Sequence, residues 1–325
     1  MQIVFMGTPD IARKSLKSLV ESGHEILAVV TNPDKPKGRG KNIAFSEVKE
    51  YALEKDLKVY QPLKVRKNEE FLNEIKSLNP DVIVVVAYGK ILPKELLDIP
   101  KYGAINVHGS LLPKLRGAAP IQWSVLNGDK VTGITTMFMD EGMDTGDMIL
   151  QESLEIGEDE TTGELWDRMG DLGAKLLVQT ISKLEEVKKK IPDPRSLDEV
   201  KQLMNAKAQE GEATIAPMLD KEMSKIDWNK TAREIHNLVR GLNPIMGTYT
   251  YCEGKKLKIW KTKLVKDDSK IGKPGEILKA DKSGLVISTG EGNLEILELQ
   301  GENAKKMDYK SFLNGNVIPV GTIFE

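Results

Sequence analysis

The first 110 residues alternate between short apolar runs and segments whose apolar residues recur at helical spacing. The run Gln2–Met6 ends at Gly7-Thr8-Pro9, which predicts a buried strand that leads into a turn. A helical pattern follows, and a second β-branched run lies at Ile26–Val30. Because a strand, a helix and a strand in this order form a right-handed crossover, we expect a parallel sheet. The run Asp81–Ala87 is apolar throughout, as the central strand of a covered parallel sheet should be.

The pattern changes after residue 160. Thr161 and Glu164 are spaced as a capping box, and they precede a long amphipathic helix. The charged segment Lys188–Pro194 contains two prolines and is predicted to be part of a linker. Beyond residue 207, short apolar or alternating runs separated by glycine-rich turns indicate a small antiparallel barrel. The predicted domains are therefore residues 1–188, a linker at 189–206 and a β domain at 207–325.

Composition excludes several classes of protein. Lys and Arg number 47 and Asp and Glu number 49, so overall charge does not indicate a nucleic-acid or membrane partner. Cys252 is the single cysteine, which excludes an intramolecular disulfide framework or a thiolate metal cluster. The chain has neither a signal-peptide pattern at its start nor an apolar run of about 20 residues. We expect a cytoplasmic protein with no membrane segment.

Three common ligand motifs fail to match. The turn at Gly7-Thr8-Pro9 lacks the glycine spacing of a dinucleotide site or a P-loop, so a tight turn in a doubly wound sheet is the better interpretation. The acidic segment Asp140–Asp147 lacks the ligand spacing of a calcium loop. No metal site is predicted.

Asn106 and His108 form a polar pair at the end of a predicted strand, Ala104–Val107. The two-residue period of a strand places both side chains on one face. The carboxyl ends of strands are where open α/β sheets bind their ligands. A histidine that is merely satisfied at a strand end explains the pair equally well if the pair is considered alone.

A succession of motifs extends from this pair. It comprises Asn106-Val107-His108-Gly109-Ser110-Leu111-Leu112-Pro113, Arg116-Gly117-Ala118-Ala119-Pro120-Ile121-Gln122 and Met139-Asp140-Glu141-Gly142-Met143-Asp144-Thr145-Gly146-Asp147. With Gly7-Thr8-Pro9, it resembles the 10-formyltetrahydrofolate-dependent formyltransferases over essentially the whole chain. The resemblance implies a Rossmann-like formyltransferase domain with a doubly wound, mostly parallel sheet, followed by a smaller OB-like β-barrel domain.

The resemblance also implies a set of site residues. Asn106, His108 and Asp144 correspond to the catalytic residues of the family, although Asp144 has an ordinary alternative as the cap of the turn before Thr145-Gly146. The segment that corresponds to the family's folate site consists of Ser110, Leu111, Leu112 and Pro113, and Tyr88 is a further candidate for the pocket wall. The formyl donor would be 10-formyltetrahydrofolate, with no metal. Arg116 stays unassigned.

Three features indicate the acceptor. The basic loop Asn32–Lys41 resembles the loop that enters the acceptor-stem region in family members acting on methionyl-initiator-tRNA, and its candidate RNA contacts are Lys35, Lys37, Arg39 and Lys41. The segment Ala213–Leu219 and the β domain resemble the same members of the family. The resemblance to these members also implies that the protein is a monomer. A lysine-rich stretch, 255–266, contains Trp260, but strict strand alternation would divide its lysines between two faces.

Alternatives remain open at this point. The loop would also fit a solvated surface loop, since lysine-rich loops are common on surfaces. A formyltransferase that acts on a nucleotide-linked amino sugar would have the same two-part layout. A catalytically inactive RNA-binding protein is a third hypothesis, which the intact Asn106, His108 and Asp144 argue against.

Overall fold

Seven strands form a mixed sheet in the first part of the computed structural model, which describes residues 1–37, 42–266 and 272–325. The strand order is β5-β2-β1-β6-β7-β8-β9. The first five of these strands run parallel to their neighbours, and β8 pairs antiparallel with β7. Chain order reverses at β1, which lies between β2 and β6 and creates the kind of switch point where α/β folds bind ligands.

The elements up to residue 126 are β1 (Gln2–Gly7), α1 (Asp10–Glu21), β2 (Glu25–Val30), β3 (Lys35–Lys37), β4 (Asn42–Ala44), α2 (Glu47–Glu54), β5 (Val59–Tyr60), α3 (Glu69–Ser77), β6 (Val82–Val86), α4 (Lys94–Leu97), β7 (Ala104–His108) and α5 (Pro120–Leu126). Most of them follow the predicted alternation, but β3 and β4 come directly after β2 and, like α4 and α5, were not predicted. Every residue of β6 is buried, which fits its β-branched composition and its place inside the sheet.

Four more elements follow, and the helix predicted after Thr161 is one of them. They are β8 (Val131–Phe138), β9 (Met148–Glu155), α6 (Thr162–Lys190) and α7 (Leu197–Met204). The Glu164 carboxylate accepts hydrogen bonds from the N–H and hydroxyl of Thr161, at 2.8 Å each, and caps the start of α6. Helix α7 lies inside the predicted linker and buries Val200 and Met204 completely.

The last part of the chain forms an antiparallel sheet. It contains a short 3₁₀ helix (Lys221–Ser224), α8 (Ala232–Leu242), β10 (Thr248–Cys252), β11 (Lys255–Leu264), β12 (Ile277–Asp281), β13 (Gly284–Ser288), β14 (Asn293–Gln300), β15 (Met307–Asp308) and α9 (Tyr309–Gly315). The strand order is β10-β11-β14-β13-β12, and β15 pairs with β14. The final residues hydrogen-bond to both edges of this sheet, through Glu325 to Tyr251 and through Thr322 to Ile277.

Contacts divide the chain into two units. Unit 1 comprises Met1–Pro120, Thr132–Leu154 and Trp166–Ala216, and unit 2 comprises Ile121–Val131, Glu155–Leu165 and Pro217–Glu325. The predicted α/β fold and the antiparallel β domain are confirmed. The OB-like form of that domain, and the boundaries at residues 188 and 207, remain predictions.

Candidate active site

Strand β7 brings Asn106 and His108 to the carboxyl edge of the unit 1 sheet. Asn106 pairs with Val85 of the central strand β6, and His108 pairs with Thr135 of β8. The side chain of Asn106 is half-buried, whereas His108 is only 5% exposed. The structure therefore agrees with the predicted placement of Asn106 and His108 at the end of one strand.

Asp144 reaches the same place from the loop between β8 and β9. Its Oδ1 atom lies 3.5 Å from Asn106 Nδ2 and 3.6 Å from His108 Nδ1. Its Oδ2 atom accepts a 2.8 Å hydrogen bond from the backbone N–H of Gly117. Asp144 adopts a left-handed backbone conformation with φ of 56°, which is uncommon for a residue with a side chain. The fold thus joins three polar residues from two separate motifs in one cluster.

The other ring nitrogen of His108, Nε2, forms a hydrogen bond with the backbone. Nε2 lies 2.9 Å from the carbonyl oxygen of Leu115, and that residue is held in turn by a 2.9 Å bond from its N–H to Thr214 Oγ1. A carbonyl oxygen can only accept, so Nε2 carries the proton of the neutral ring. The nitrogen that faces Asp144, Nδ1, is then the one free to take up and release a proton.

Gly117 supplies a donor that no other residue could supply without distortion. Its φ is +120°, and a Cβ atom built there would lie 2.7 Å from the carbonyl oxygen of Ala216. A side chain at this position would push apart the segments that hold the Asp144 carboxylate. The glycine in the Arg116-Gly117 motif is therefore required by close backbone packing.

The four residues predicted to bind folate follow His108 directly. Ser110 and Leu112 are buried, and Leu111 and Pro113 are half-buried. The Ser110 hydroxyl donates a 2.6 Å bond to the carbonyl of Lys114, so it is engaged within its own loop. These residues line the same edge of the sheet as the cluster, and their contact with folate remains a prediction.

Thr135 on β8 anchors this loop. Its hydroxyl donates to the Ser110 carbonyl at 2.7 Å and accepts from the Leu112 N–H at 3.1 Å. Gln151 Nε2 donates both to this hydroxyl and to the Leu112 carbonyl, at 2.9 Å each. The loop geometry is thus determined by two polar residues on the neighbouring strands, which the sequence pattern did not reveal.

Tyr88 contributes to the sheet core with its ring. It is 2% exposed, its hydroxyl has no hydrogen-bond partner among the described residues, and burial raises its pKa to about 12. Its carbonyl accepts a 2.9 Å bond from Asn32 Nδ2, which also donates to Thr8 Oγ1 at 3.0 Å. The backbone of Tyr88 therefore helps to tie the carboxyl ends of β1, β2 and β6 together. Its role in a ligand pocket remains a prediction.

A surface cleft of about 1290 Å³ lies beside the Asp144 loop. It reaches Glu141, three residues before Asp144, and Pro93 at the start of α4. Its charged lining mixes both signs and consists of Lys64, Arg66, Lys67, Glu69, Glu70, Lys94, Glu95 and Glu141. Asn106, His108 and Asp144 do not line it. The cleft is thus a polar surface that is separate from the cluster of Asn106, His108 and Asp144.

Arg116, which the sequence left unassigned, belongs to a second network beneath Asp144. Its guanidinium donates to Gln209 Oε1 at 2.7 and 3.0 Å. Gln209 Nε2 donates to the carbonyls of Asp144 and Gly146 at 2.8 and 2.9 Å. Sequence reasoning missed Gln209 because it lies in an irregular segment without periodicity, 65 residues from the aspartate that it contacts.

The described part of the predicted RNA-contacting loop pairs antiparallel with the strand that follows it. Lys35 and Lys37 lie on β3, which pairs with β4. Arg39 and Lys41 lie outside the described residues. Their RNA contacts remain predictions.

A polar tie holds the chain just before β3. The Asp34 carboxylate accepts from Lys49 Nζ at 2.5 Å and from Gln61 Nε2 at 2.8 Å. These hydrogen bonds lower the pKa of Asp34 below its usual range. These hydrogen bonds therefore hold Asp34 in place directly before β3.

The lysine-rich stretch of unit 2 differs from the expectation of strict alternation. Leu257, Ile259 and Thr262 are buried, and the register of β11 against β14 shifts between Ile259 and Thr262. This bulge inserts one extra residue, so the lysines on both sides of it point away from the core. The outward lysines are Lys256, Lys258, Lys261 and Lys263. The predicted division of these lysines between two faces was wrong for these four.

Aromatic rings lie among the first of these lysines. Lys256 Nζ lies 3.6 Å from the ring centroid of Tyr249, and Lys258 Nζ lies 5.3 Å from that of Trp260. The register places Tyr251 opposite Lys256 on the same pair of strands. Farther along, Lys261 and Lys263 lie opposite Glu298 and Glu295. We call Tyr249, Tyr251, Lys256, Lys258 and Trp260 the aromatic–lysine face.

Within 1–37, 42–266 and 272–325, no group of three or more His, Cys, Asp or Glu side chains could hold a metal ion. Over the same ranges, each helix is too short or too polar to cross a bilayer.

Comparison with known proteins now gives the class. Residues 1–181 match the family described as formyl transferase, and residues 218–317 match formyl transferase, C-terminal domain. The fold is similar to the N-formyltransferase from Helicobacter canadensis in complex with folinic acid and dTDP-3-aminofucose, with a TM-score of 0.64 at 19% identity over 90% of this chain and 98% of that chain. The fold and the two family domains are those of a formyl-transferring enzyme.

Full-length relatives narrow the assignment. The chain is 52% identical over 325 residues to methionyl-tRNA formyltransferase of Caldanaerobacter subterraneus subsp. tengcongensis, which covers 100% of both chains. It is 49% identical over 323 residues to methionyl-tRNA formyltransferase of Clostridioides difficile, which covers 99% of both. The chain belongs to the methionyl-tRNA formyltransferase family.

Proposed function

We propose that this chain transfers the formyl group of 10-formyltetrahydrofolate to the amino group of methionyl-initiator-tRNA, giving formylmethionyl-tRNA for translation initiation. The observation that carries the proposal is the cluster of Asn106, His108 and Asp144 at the end of β7, in a chain whose full-length relatives are named for this acceptor. Residues 1–188 hold the reacting groups, and residues 207–325 form the tRNA-binding domain. The enzyme acts as a cytoplasmic monomer.

The donor binds along the loop that follows His108. Ser110, Leu111, Leu112 and Pro113 offer backbone groups and apolar surface at the sheet edge, a combination that suits a flat heteroaromatic ring. Tyr88 supports the adjoining wall through its ring and backbone. The folinic acid in the Helicobacter canadensis structure supports a reduced folate as the donor class.

10-Formyltetrahydrofolate supplies a formyl carbon on N10; the methionine nitrogen bonds to that carbon, the bond to N10 breaks, and one proton passes from the attacking amine to N10. Negative charge develops on the formyl oxygen as the amine adds. The half-buried amide of Asn106 can donate to that oxygen, and so can a protonated Nδ1 of His108. Donors that are already in place cost no reorganisation when the charge appears.

Asp144 stabilises the positive form of His108 and accepts the proton that the amine loses. Its Oδ1 atom faces both Nδ1 of His108 and the amide of Asn106. Because Oδ2 is fixed by Gly117, the carboxylate keeps this orientation while the reactants change. When Nδ1 of His108 carries a proton, the carboxylate 3.6 Å away can accept a charge-assisted hydrogen bond from it.

The acceptor RNA contacts two basic surfaces. One is the basic loop Asn32–Lys41, with Lys35, Lys37, Arg39 and Lys41. The other is the aromatic–lysine face of unit 2, where ammonium groups can meet phosphates and rings can meet exposed bases. Local positive surfaces of this kind bind one RNA despite a net charge of −2 for the chain.

An acceptor assay tests the proposal. The protein is incubated with 10-formyltetrahydrofolate and either methionyl-initiator-tRNA or a dTDP-linked amino sugar, and formylated products are measured by mass spectrometry. We expect formylmethionine on the tRNA and no formylated sugar. Formylation of the sugar alone would replace the proposal with the amino-sugar function, and RNA binding without either product would support an inactive RNA-binding protein.

A further inference from the structure

The segment 207–216, which we call the strap, lies against the loops of the catalytic cluster. Lys207 exchanges two backbone hydrogen bonds of 2.8 Å with Met148, just after the Asp144 loop. Thr214 accepts at its carbonyl from the N–H of Arg116 at 2.8 Å, and the N–H of Ala216 donates to the Arg116 carbonyl at 2.7 Å. The strap therefore joins the loop of Asp144 to the loop of Gly117, although it belongs to neither.

Gln209 is the side chain that completes this connection. Its two amide hydrogens are used on the carbonyls of Asp144 and Gly146, and its oxygen accepts two bonds from the Arg116 guanidinium. These four bonds fill the hydrogen-bonding capacity of a glutamine amide. Because its N–H groups and its oxygen are all bonded, this amide fixes the guanidinium of Arg116 relative to the carbonyls of Asp144 and Gly146.

Both supports of the Asp144 carboxylate depend on this amide. The first is the main chain of Asp144, whose left-handed φ of 56° needs surrounding contacts to persist. The second is the Gly117 N–H, which lies next to Arg116 in sequence and donates to Oδ2 at 2.8 Å. Gln209 holds the first directly and the second through Arg116.

We propose that Gln209 is a positioning residue for Asp144 in the formyl-transfer reaction. The inference rests on the proposed function and adds to it a residue that touches no reacting atom. Loss of the amide would leave Asp144 correctly charged but less well placed. Since a displacement of about 1 Å can lower a rate about 10²-fold, the effect falls on the chemical step.

Two variants separate positioning from simple support of the fold. Gln209→Met keeps the size of the side chain and removes all four hydrogen bonds. Gln209→Glu keeps an acceptor for Arg116 but removes both donations to the carbonyls of Asp144 and Gly146. Gln202→Met is the matched control, because Gln202 is an exposed glutamine on α7.

The test measures kcat and both KM values with methionyl-tRNA and 10-formyltetrahydrofolate, with the thermal midpoint of each variant as a check on folding. We expect kcat to fall about 10- to 10²-fold in both Gln209 variants, KM values within about threefold of wild type, and no change in Gln202→Met. Wild-type kcat in Gln209→Glu would overturn the proposal, as would a loss confined to KM. If Gln209→Met fails to fold, Gln209→Glu decides alone. An inactive wild-type protein would instead refute the proposed function.

Discussion

The carbonyl oxygen of Leu115 lies 2.9 Å from Nε2 of His108 and determines which ring nitrogen can exchange a proton. Leu115 has a left-handed φ of 59°, and its N–H is bound by Thr214, so the carbonyl is held in position. Because the carbonyl can only accept, Nδ1 is the nitrogen available to the reaction. Nδ1 also faces the carboxylate of Asp144 at 3.6 Å.

Replacing His108 with alanine should remove transfer and leave the donor site largely intact. We expect kcat to fall at least about 10²- to 10³-fold, the usual loss for one donor to a developing oxyanion. The measurement is single-turnover formylation of methionyl-tRNA, with binding of 5-formyltetrahydrofolate followed by calorimetry as the control. Turnover near the wild-type rate would exclude His108 from the mechanism.

Asp144→Asn tests the charge of the carboxylate separately from its geometry. The asparagine oxygen can still accept from the Gly117 N–H, so the loop should keep its shape. We expect kcat to fall about 10²-fold or more, since the neutral amide neither stabilises an imidazolium nor accepts a proton. Rates are compared with those of Asp140→Asn, a control on an aspartate that bonds Gly142 and Thr145 within the same loop. Equal losses in the two variants would contradict a catalytic role specific to Asp144.

Thr135→Val should loosen the predicted folate loop. The variant removes one hydroxyl that serves Ser110, Leu112 and Gln151, and it leaves buried groups without partners. We expect a loss of about 1–3 kcal/mol in the free energy of unfolding and a higher KM for 10-formyltetrahydrofolate. Denaturant unfolding and steady-state kinetics measure the two effects.

Thr132→Val on the same strand is the matched control. Its hydroxyl is buried and has no hydrogen-bond partner among the described residues, so the same chemical change should be neutral or stabilising there. Equal destabilisation of the two variants would refute the anchoring role of Thr135.

The aromatic–lysine face predicts a change specific to RNA. In Lys258→Ala the ammonium beside Trp260 is lost, and we expect the KM for methionyl-tRNA to rise several-fold with the KM for folate unchanged. The slope of log KM for tRNA against log salt should also become shallower. Lys282→Ala, at an exposed lysine in the turn between β12 and β13, is the control. An unchanged salt slope in Lys258→Ala would place the RNA elsewhere.

Stability should fall as the solution becomes acidic, in part because of His236. Burial lowers the pKa of this histidine, and its neutral ring is satisfied by Thr262 at Nδ1 and the Glu158 carbonyl at Nε2. The unfolded chain therefore binds the proton first, so the contribution of His236 is complete above about pH 6.5 and is lost as the pH falls below that value.

Thermal unfolding between pH 7.5 and 5 measures this effect in the wild type and in His236→Gln. We expect a smaller drop of the midpoint in the variant. Burial also lowers the pKa of His24, which acts in the same direction, so the difference between the two proteins isolates His236. Identical pH dependence in both would contradict a role for His236.

Much of the alternation of strands and helices before β8 was predictable, because elements such as β1, β2 and β6 carry their own local signal. A strand that is buried on both faces, such as β6, is apolar throughout. The start of a capped helix such as α6 can be recognised from the spacing of Thr161 and Glu164. Asn106 and His108 were predictable as a pair for the same reason, since strand alternation places them on one face.

Contacts between distant segments could not be predicted in this way. The connection from Gln209 to Asp144 has no local period, because partners separated by 65 residues meet only when the chain has folded. The outward direction of Lys261 depends on a bulge in β11, which shifts the alternation by one residue and leaves no trace in composition.

The sequence by itself determined the fold class and the chemical groups of the site, because periodicity and motif residues are local properties of the chain. Only the tertiary structure decided which nitrogen of His108 faces Asp144 and which backbone donor fixes that carboxylate. Such choices depend on single hydrogen bonds between loops, and their geometry exists only after the core has packed and brought Leu115, Gly117 and the strap together.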